Sequence, residues 1–184
     1  KQTEEHGCVF ILDEVKTGFR IANGGAQEYY GFKPDLATYA KALGNGYPIA
    51  AFGGKKEIMS IIGHGVAQGG TYTNNKPGVA AAYATLSLLK SKPILKTIEK
   101  RGQRLKDGLQ EIFAENDVPA VFTGYPAMFS FSLGVESVSC QRDWAMSDHD
   151  LYLSLVEKAI LRGVMPDYDS REPWFMCYSH SDAD

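Results

Sequence analysis

The sequence predicts an α/β protein built as a mainly parallel sheet flanked by helices, followed by part of a smaller α+β domain. A short apolar run at residues 8–12 is typical of a strand that is buried on both faces of a parallel sheet. Apolar residues at helical spacing then dominate residues 78–116. Beyond these the pattern changes to short strand candidates around one helix. We therefore assign residues 1–116 to the first domain and residues 117–184 to the second.

Three short strands are predicted in the first domain, each bounded by glycine or by polar residues. They lie at residues 8–12, 34–40 and 49–52. Glycine-containing loops and turns follow them, at residues 17–31, 44–48 and 68–77. Helical segments complete this domain, at residues 1–7, 55–62, 78–90 and 93–116.

The second domain is predicted to place one helix among short strands. The strand candidates are residues 120–122, 128–133, 164–168 and 174–178. Ser147 and Asp150 resemble a capping box for a helix over residues 148–162, which Gly163 ends. Both chain ends read as interrupted helices, so we expect the chain to be truncated at each end.

Composition excludes several classes of protein. Hydrophobic residues make up 44% and charged residues 22% of the 184 residues, with a net charge of −3, as in soluble globular proteins. The basic residues are dispersed, which argues against nucleic-acid binding, and no apolar run is long enough to cross a membrane. Cys8, Cys140 and Cys177 form no CxxC pair, so we expect neither a disulfide framework nor a metal site, and a cytoplasmic location.

Three positions combine a side chain that can bind or react with a ligand and a place in the predicted fold where ligands bind. Asp13 closes a strand, where ligands gather in open α/β sheets, and its charge needs a partner if it is buried. Lys41 follows a strand and precedes a glycine turn, where desolvation or a nearby cation would make its amine nucleophilic. Thr71 lies in a loop whose hydroxyls and amides could hold a phosphate. Taken singly, each is better explained as a surface acid, an exposed lysine or a capping loop.

Taken together, an acid for a ring nitrogen, an amine for an aldehyde and a hydroxyl for a phosphate are what pyridoxal 5'-phosphate requires. Their order resembles the class III aminotransferases over almost the whole chain. The segment Ile-Leu-Asp-Glu-Val-Lys-Thr-Gly-Phe-Arg at residues 11–20 resembles one family motif. Pro-Asp-Leu at residues 34–36 before Lys41, and Gly70-Thr71 with Asn75, resemble two others.

The resemblance implies the fold of a fold-type I aminotransferase. Residues 1–116 would be the C-terminal part of its large cofactor-binding domain, and residues 117–184 part of its small C-terminal domain. The family also has an N-terminal phosphate cradle and an aromatic residue that stacks on the cofactor, and neither is present in this chain. We therefore expect the segment alone to be inactive.

The resemblance also assigns roles to individual residues. Asp13 would pair with the pyridinium nitrogen, and Val15 would pack on one face of the cofactor ring. Lys41 would form the internal aldimine, a Schiff base with the cofactor, and would then move the proton of the substrate carbon. Thr71 would bind the phosphate in the site of the partner subunit, which implies a homodimer with shared active sites. Gln27 matches a family position and is expected to have a structural or supporting role.

Arg20 is expected to have a similar supporting role. The loop at residues 74–77 reads Asn-Asn-Lys-Pro where the family has Gly-Asn-x-Pro, so its backbone path is expected to differ. Residues 24–27 and 179–184 are most similar to the glutamate-1-semialdehyde 2,1-aminomutase branch, an isomerase that acts on an amino-acid semialdehyde. Two alternatives stay open: a class III transaminase of an amine or β-amino acid with a keto acid, and a catalytically incomplete fragment or non-catalytic homologue.

Overall fold

The computed structural model describes residues 2–184, so that Lys1, at the start of the first predicted helix, lies outside the described residues. The chain forms two compact units, Lys1–Leu95 and Lys96–Asp184. The assignment of residues 1–116 and 117–184 to two domains of a larger enzyme remains a prediction.

A three-stranded sheet organises the first unit. Its strands are β1 (Ile11–Asp13), β2 (Leu36–Tyr39) and β3 (Ala51–Gly54), in that order across the sheet. β1 runs parallel to β2 with Asp13 opposite Thr38, whereas β2 runs antiparallel to β3. The three strands confirm the predicted ones with shifted limits. The expected burial of the first strand on both faces is wrong, because β1 is an edge strand in which Ile11 is 56% exposed.

Over the described residues 2–91, four helices and one 3-10 turn complete the first unit. The helices are α1 (Gln2–Glu5), α2 (Gly25–Tyr30), α3 (Lys56–Met59) and α4 (Lys76–Ser91), and the turn is Lys41–Leu43. The prediction that residues 17–31 form only a loop is wrong, because α2 lies within them. The amides at the amino end of α2 donate to the carboxylate of Glu14. Because Glu14 lies well before the helix in the sequence, it is not part of a local capping pattern, and the helix could not be predicted from one.

Asp35 ties together the ends of the three strands that lie far from Lys41. Its carboxylate accepts the amide of Phe10 at 2.7 Å and forms an ion pair with Lys55 at 2.5 Å. The hydrogen bond from Lys55, followed by that from Phe10, lowers the pKa of the Asp35 carboxyl. The backbones approach closely here, since a Cβ on Gly54 would lie 2.1 Å from the carbonyl oxygen of Asp35. These contacts join the amino ends of β1 and β2 to the carboxyl end of β3.

The second unit packs helices on an antiparallel sheet. Its strands are β4 (Ala120–Tyr125), β5 (Met128–Leu133) and β6 (Trp174–Phe175), in that order. Its helices are α5 (Ile94–Glu115), which begins just before the boundary, α6 (Gln141–Trp144) and α7 (His149–Ile160). Six buried residues form the core: Phe113, Phe129, Phe131, Leu133, Tyr152 and Val156.

Most predicted elements of the second unit are confirmed, two predictions are wrong and one helix was missed. Asp148, not Ser147, caps α7, and its carboxylate accepts the amide of Leu151 at 2.9 Å. No strand forms at residues 164–168, where the hydroxyl of Tyr152 donates to the carbonyl oxygen of Asp167 at 3.0 Å. The short helix α6 was not predicted.

Candidate functional site

A cavity of about 650 Å³ opens in the first unit beside the carboxyl ends of β1 and β2. Val15, just after β1, and Thr38, within β2, form part of its wall. The polar loop at residues 70–75, which includes Thr71, forms another part. Val15 and Thr71 thus line one cavity within a single chain, although the family resemblance assigns Thr71 to the site of the partner subunit.

Asp13 is not among the residues that line the cavity, but it is bonded to two that are. Its Oδ1 atom accepts the amide of Val15 at 2.9 Å and the hydroxyl of Thr38 at 3.2 Å. Oδ2 takes part in neither bond. The carboxylate is therefore oriented through one oxygen and can accept a proton donor through the other.

Lys41 follows Thr38 by three residues, a stretch that spans at most about 11 Å. Its side chain is exposed and it does not line the cavity. Its backbone has φ 41°, the left-handed conformation that costs a residue other than glycine of order 1–3 kcal/mol. The carbonyl oxygen of Lys41 accepts the amides of Gly44 at 3.1 Å and Asn45 at 2.9 Å, which hold this conformation. Such strain is concentrated at functional sites.

The loop that contains Thr71 forms two tight turns before α4. The amide of Thr73 donates to the carbonyl of Gly70 at 3.0 Å, and the amide of Asn75 donates to that of Tyr72 at 3.1 Å. Asn74 has φ 59°. Asparagine tolerates this left-handed conformation better than most residues, which explains how it stands where the family pattern has glycine. Thr71 is exposed, so its hydroxyl is accessible to a ligand.

A second group of side chains supports the ends of β1 and β2. Glu14 is fully buried, and its carboxylate accepts the amides of Ala26 at 2.9 Å and Gln27 at 3.1 Å as well as the hydroxyl of Thr17. The side-chain amide of Gln27 donates to the hydroxyl of Tyr39 at 2.7 Å. Burial, and then the charge of Glu14, raise the pKa of Tyr39, and the bond from Gln27 opposes them.

Sequence reasoning missed Thr38, Tyr39 and the burial of Glu14. Thr38 could have been found from the predicted parallel pairing, because a polar residue late in β2 lies beside the one that ends β1. Glu14 offered a weaker signal. Period-2 alternation places Glu14 on the face opposite to Asp13, but it does not show which hydrogen-bond donors lie on that face.

Other features of the described residues bear on the class of protein. Within residues 2–184, no group of three or more His, Cys, Asp or Glu side chains is placed to hold a metal ion. None of the helices over the same residues is long and apolar enough to span a membrane. Cys8, Cys140 and Cys177 are all exposed free thiols.

Comparison with known proteins shows the relationship directly. Residues 1–165 match the model of the aminotransferase class-III family. The whole chain is 37% identical to a glutamate-1-semialdehyde 2,1-aminomutase of Alkaliphilus metalliredigens and covers 42% of that protein. The chain thus spans less than half the length of this curated relative.

Solved structures share the fold. A β-phenylalanine aminotransferase from Variovorax paradoxus superposes with a TM-score of 0.86 and 26% identity, over 98% of this chain and 42% of the other. The FumI protein of Sphingopyxis sp. in its pyridoxal-phosphate internal aldimine form gives a TM-score of 0.85 at 23% identity, over 100% and 41%. The predicted fold class, part of a fold-type I aminotransferase, is confirmed. The chain belongs to the class-III aminotransferase family.

Proposed function

We propose that this chain carries part of the pyridoxal-phosphate site of an enzyme that transfers amino groups. The observation that carries the proposal is the placement of Val15 on the wall of the cavity, next to the strand ends that bear Asp13 and Lys41. The names of the relatives support it, because the matched proteins include aminomutases and a structure with bound pyridoxal phosphate.

The residues present fit this cofactor. Asp13 would hold the proton of the ring nitrogen through Oδ2, since Oδ1 is already occupied. Val15 would contact one face of the ring, and the Thr71 hydroxyl would donate to the phosphate of the cofactor in the site of the partner subunit. When bound, pyridoxal phosphate supplies an aldehyde for amine attachment and a ring that withdraws electrons. Lys41 would supply the amine for covalent attachment and would then transfer the proton at the substrate carbon.

We propose aminomutase activity on an amino-acid semialdehyde first, because relatives of that name match the entire chain at 35–37% identity. Intermolecular transamination of an amine or β-amino acid is the second candidate. It is favoured by the β-phenylalanine aminotransferase of the same fold, which is 26% identical. An incomplete, inactive segment is the third, since the chain spans about 42% of its relatives.

A homodimer with shared sites and a cytoplasmic location are further proposals. Exposed apolar residues follow one side of α4 at helical spacing, at Val79, Tyr83 and Leu86, and they would suit a subunit interface. The three free thiols would suit a reducing compartment.

The test is amino transfer by the protein loaded with the pyridoxamine form of the cofactor. With a semialdehyde and no keto acid, we expect repeated turnover that moves the amino group to the neighbouring carbon. Lys41→Ala should abolish this turnover, whereas the exposed control Lys56→Ala should retain it. Turnover of an amine only when a keto acid is added would show that the protein is an intermolecular transaminase instead. Equal rates in the parent and in Lys41→Ala would contradict both.

A further inference from the structure

Glu14 is the one acidic residue that is fully buried within residues 2–184. It is flanked in sequence by Asp13, the last residue of β1, and Val15, the two predicted cofactor contacts in this segment, but it does not line the cavity. Burying a carboxylate is costly unless hydrogen bonds replace its water. Glu14 therefore lies beside the cavity but outside its lining, and hydrogen bonds must offset the cost of its burial.

The carboxylate of Glu14 accepts hydrogen bonds from three donors, all of which lie in residues 17–27. The amides of Ala26 and Gln27 lie at the amino end of α2 and donate to Oε2 and Oε1 at 2.9 and 3.1 Å. The hydroxyl of Thr17 donates to Oε2 as well. Bonds to an ionised acceptor are about twice as strong as neutral ones, so α2 is fastened to the end of β1.

The same helix is fastened to the end of β2. The side chain of Gln27 donates to the hydroxyl of Tyr39 at 2.7 Å, and the ring of Tyr39 packs on Phe19 with centroids 5.4 Å apart. The amide of Glu14 donates to the carbonyl oxygen of Thr38 at 2.9 Å, which closes a ring of contacts. This ring, called here the support ring, runs from Glu14 through Gln27 and Tyr39 to Thr38.

Two glycines show that the local packing is built around this ring. A Cβ on Gly25, whose φ is 75°, would lie 2.5 Å from both carboxylate oxygens of Glu14. A Cβ on Gly18 would lie 2.9 Å from the ring of Tyr39 and 2.7 Å from the carbonyl oxygen of Glu14. Neither position has room for a side chain.

We infer that Glu14 is a positioning residue for the cofactor site, which acts through the support ring to fix Asp13 and Val15 relative to the strand end that bears Lys41. This inference rests on the proposed function. Side chains alternate across a strand, so Asp13 faces Thr38 on one side of the sheet while Glu14 lies on the other. The carboxylate of Glu14 therefore lies on the side of the sheet away from Asp13, while Thr38 and Tyr39, the other end of the support ring, also line the cavity.

The test is Glu14→Gln in the complete protein. One edge of the glutamine amide is a donor, so it can accept only one of the two helix amides and must face the other. We expect pyridoxal phosphate to bind on the order of 10- to 100-fold more weakly, as is typical when a supporting partner of a ligand-binding group is lost. We also expect the visible circular dichroism per bound cofactor to fall, because the cofactor is no longer held in one orientation.

Matched variants separate positioning from folding. Glu57→Gln, on the exposed helix α3, should leave both measurements at the parent values. Tyr39→Phe removes the acceptor of the Gln27 bond but keeps the aromatic ring beside the cavity, and it should change both measurements in the same direction by less. It also provides the test if Glu14→Gln does not fold.

Parent-like affinity and dichroism in both Glu14→Gln and Tyr39→Phe would overturn the inference, even if their melting temperatures fell. That result differs from failure of the proposed function, in which the parent protein itself would form no visible cofactor band. Hydrogen exchange tests the support ring independently of cofactor binding. In the apo protein, we expect the amides of Ala26 and Gln27 to exchange faster in Glu14→Gln than in the parent.

Discussion

Replacing Asp13 with Asn is expected to lower the kcat of amino transfer on the order of 10²- to 10³-fold, the usual loss when one preorganised electrostatic partner is removed. Asparagine keeps an oxygen that can accept the amide of Val15 and the hydroxyl of Thr38, so the local structure should survive. What is lost is the negative charge that would hold a proton on the ring nitrogen of the cofactor. The expected result is therefore a protein that still folds and still binds the cofactor but turns over slowly.

The matched control is Thr38→Val, which removes the hydroxyl that donates to Asp13 at 3.2 Å but leaves the carboxylate charged. Its kcat should fall far less than that of Asp13→Asn. Steady-state kinetics and the melting temperature of the three proteins give the comparison. A loss in Thr38→Val as large as in Asp13→Asn would mean that orientation of the carboxylate, and not its charge, is what matters.

Phe131→Ala is expected to give the largest loss of stability in the second unit. Phe131 is 1% exposed, and its ring centroid lies 5.2–5.5 Å from those of Phe113, Phe122, Tyr152 and Trp174. Truncating a buried phenylalanine to alanine costs about 3–5 kcal/mol, because apolar contacts are lost and a cavity remains. For a chain of this size, we expect the melting temperature to fall by about 10 °C.

Tyr168→Ala is the control for Phe131→Ala, because it truncates an aromatic residue that is 62% exposed. Its melting temperature should stay within about 2 °C of the parent, as surface substitutions usually cost less than ~0.5 kcal/mol. Both variants are measured by calorimetry or circular dichroism at one protein concentration. Similar changes in the two proteins would contradict the assignment of Phe131 to the centre of the core.

The elements that were predicted correctly are those whose pattern is local. Helix α5 has apolar residues at helical spacing over its length, and β5 alternates in part between apolar and polar residues, so both follow from the sequence. Helix α2 was missed because its amino end depends on Glu14, and residues 164–168 were assigned to a strand although their partner is Tyr152 of α7. Contacts between distant residues decide both cases, and a local pattern does not contain them.

The candidate site divides in the same way. Asp13, Lys41 and Thr71 were singled out because residue types at strand ends and in a polar loop suit a cofactor, and the family resemblance gave their roles. The structure adds the bond from Thr38 to Asp13 and the left-handed backbone of Lys41. Neither can be read from the sequence, because the first depends on strand register and the second on the turn that follows.

The most direct test of the central claim is to locate the covalent attachment of pyridoxal phosphate. The complete protein is incubated with the cofactor, reduced with borohydride, digested and analysed by mass spectrometry. The account predicts that the phosphopyridoxyl mass is found on Lys41, and that Lys41→Ala neither shows the visible band nor retains the label. Label on another lysine with Lys41 unmodified, or a band of equal intensity in Lys41→Ala, would contradict it.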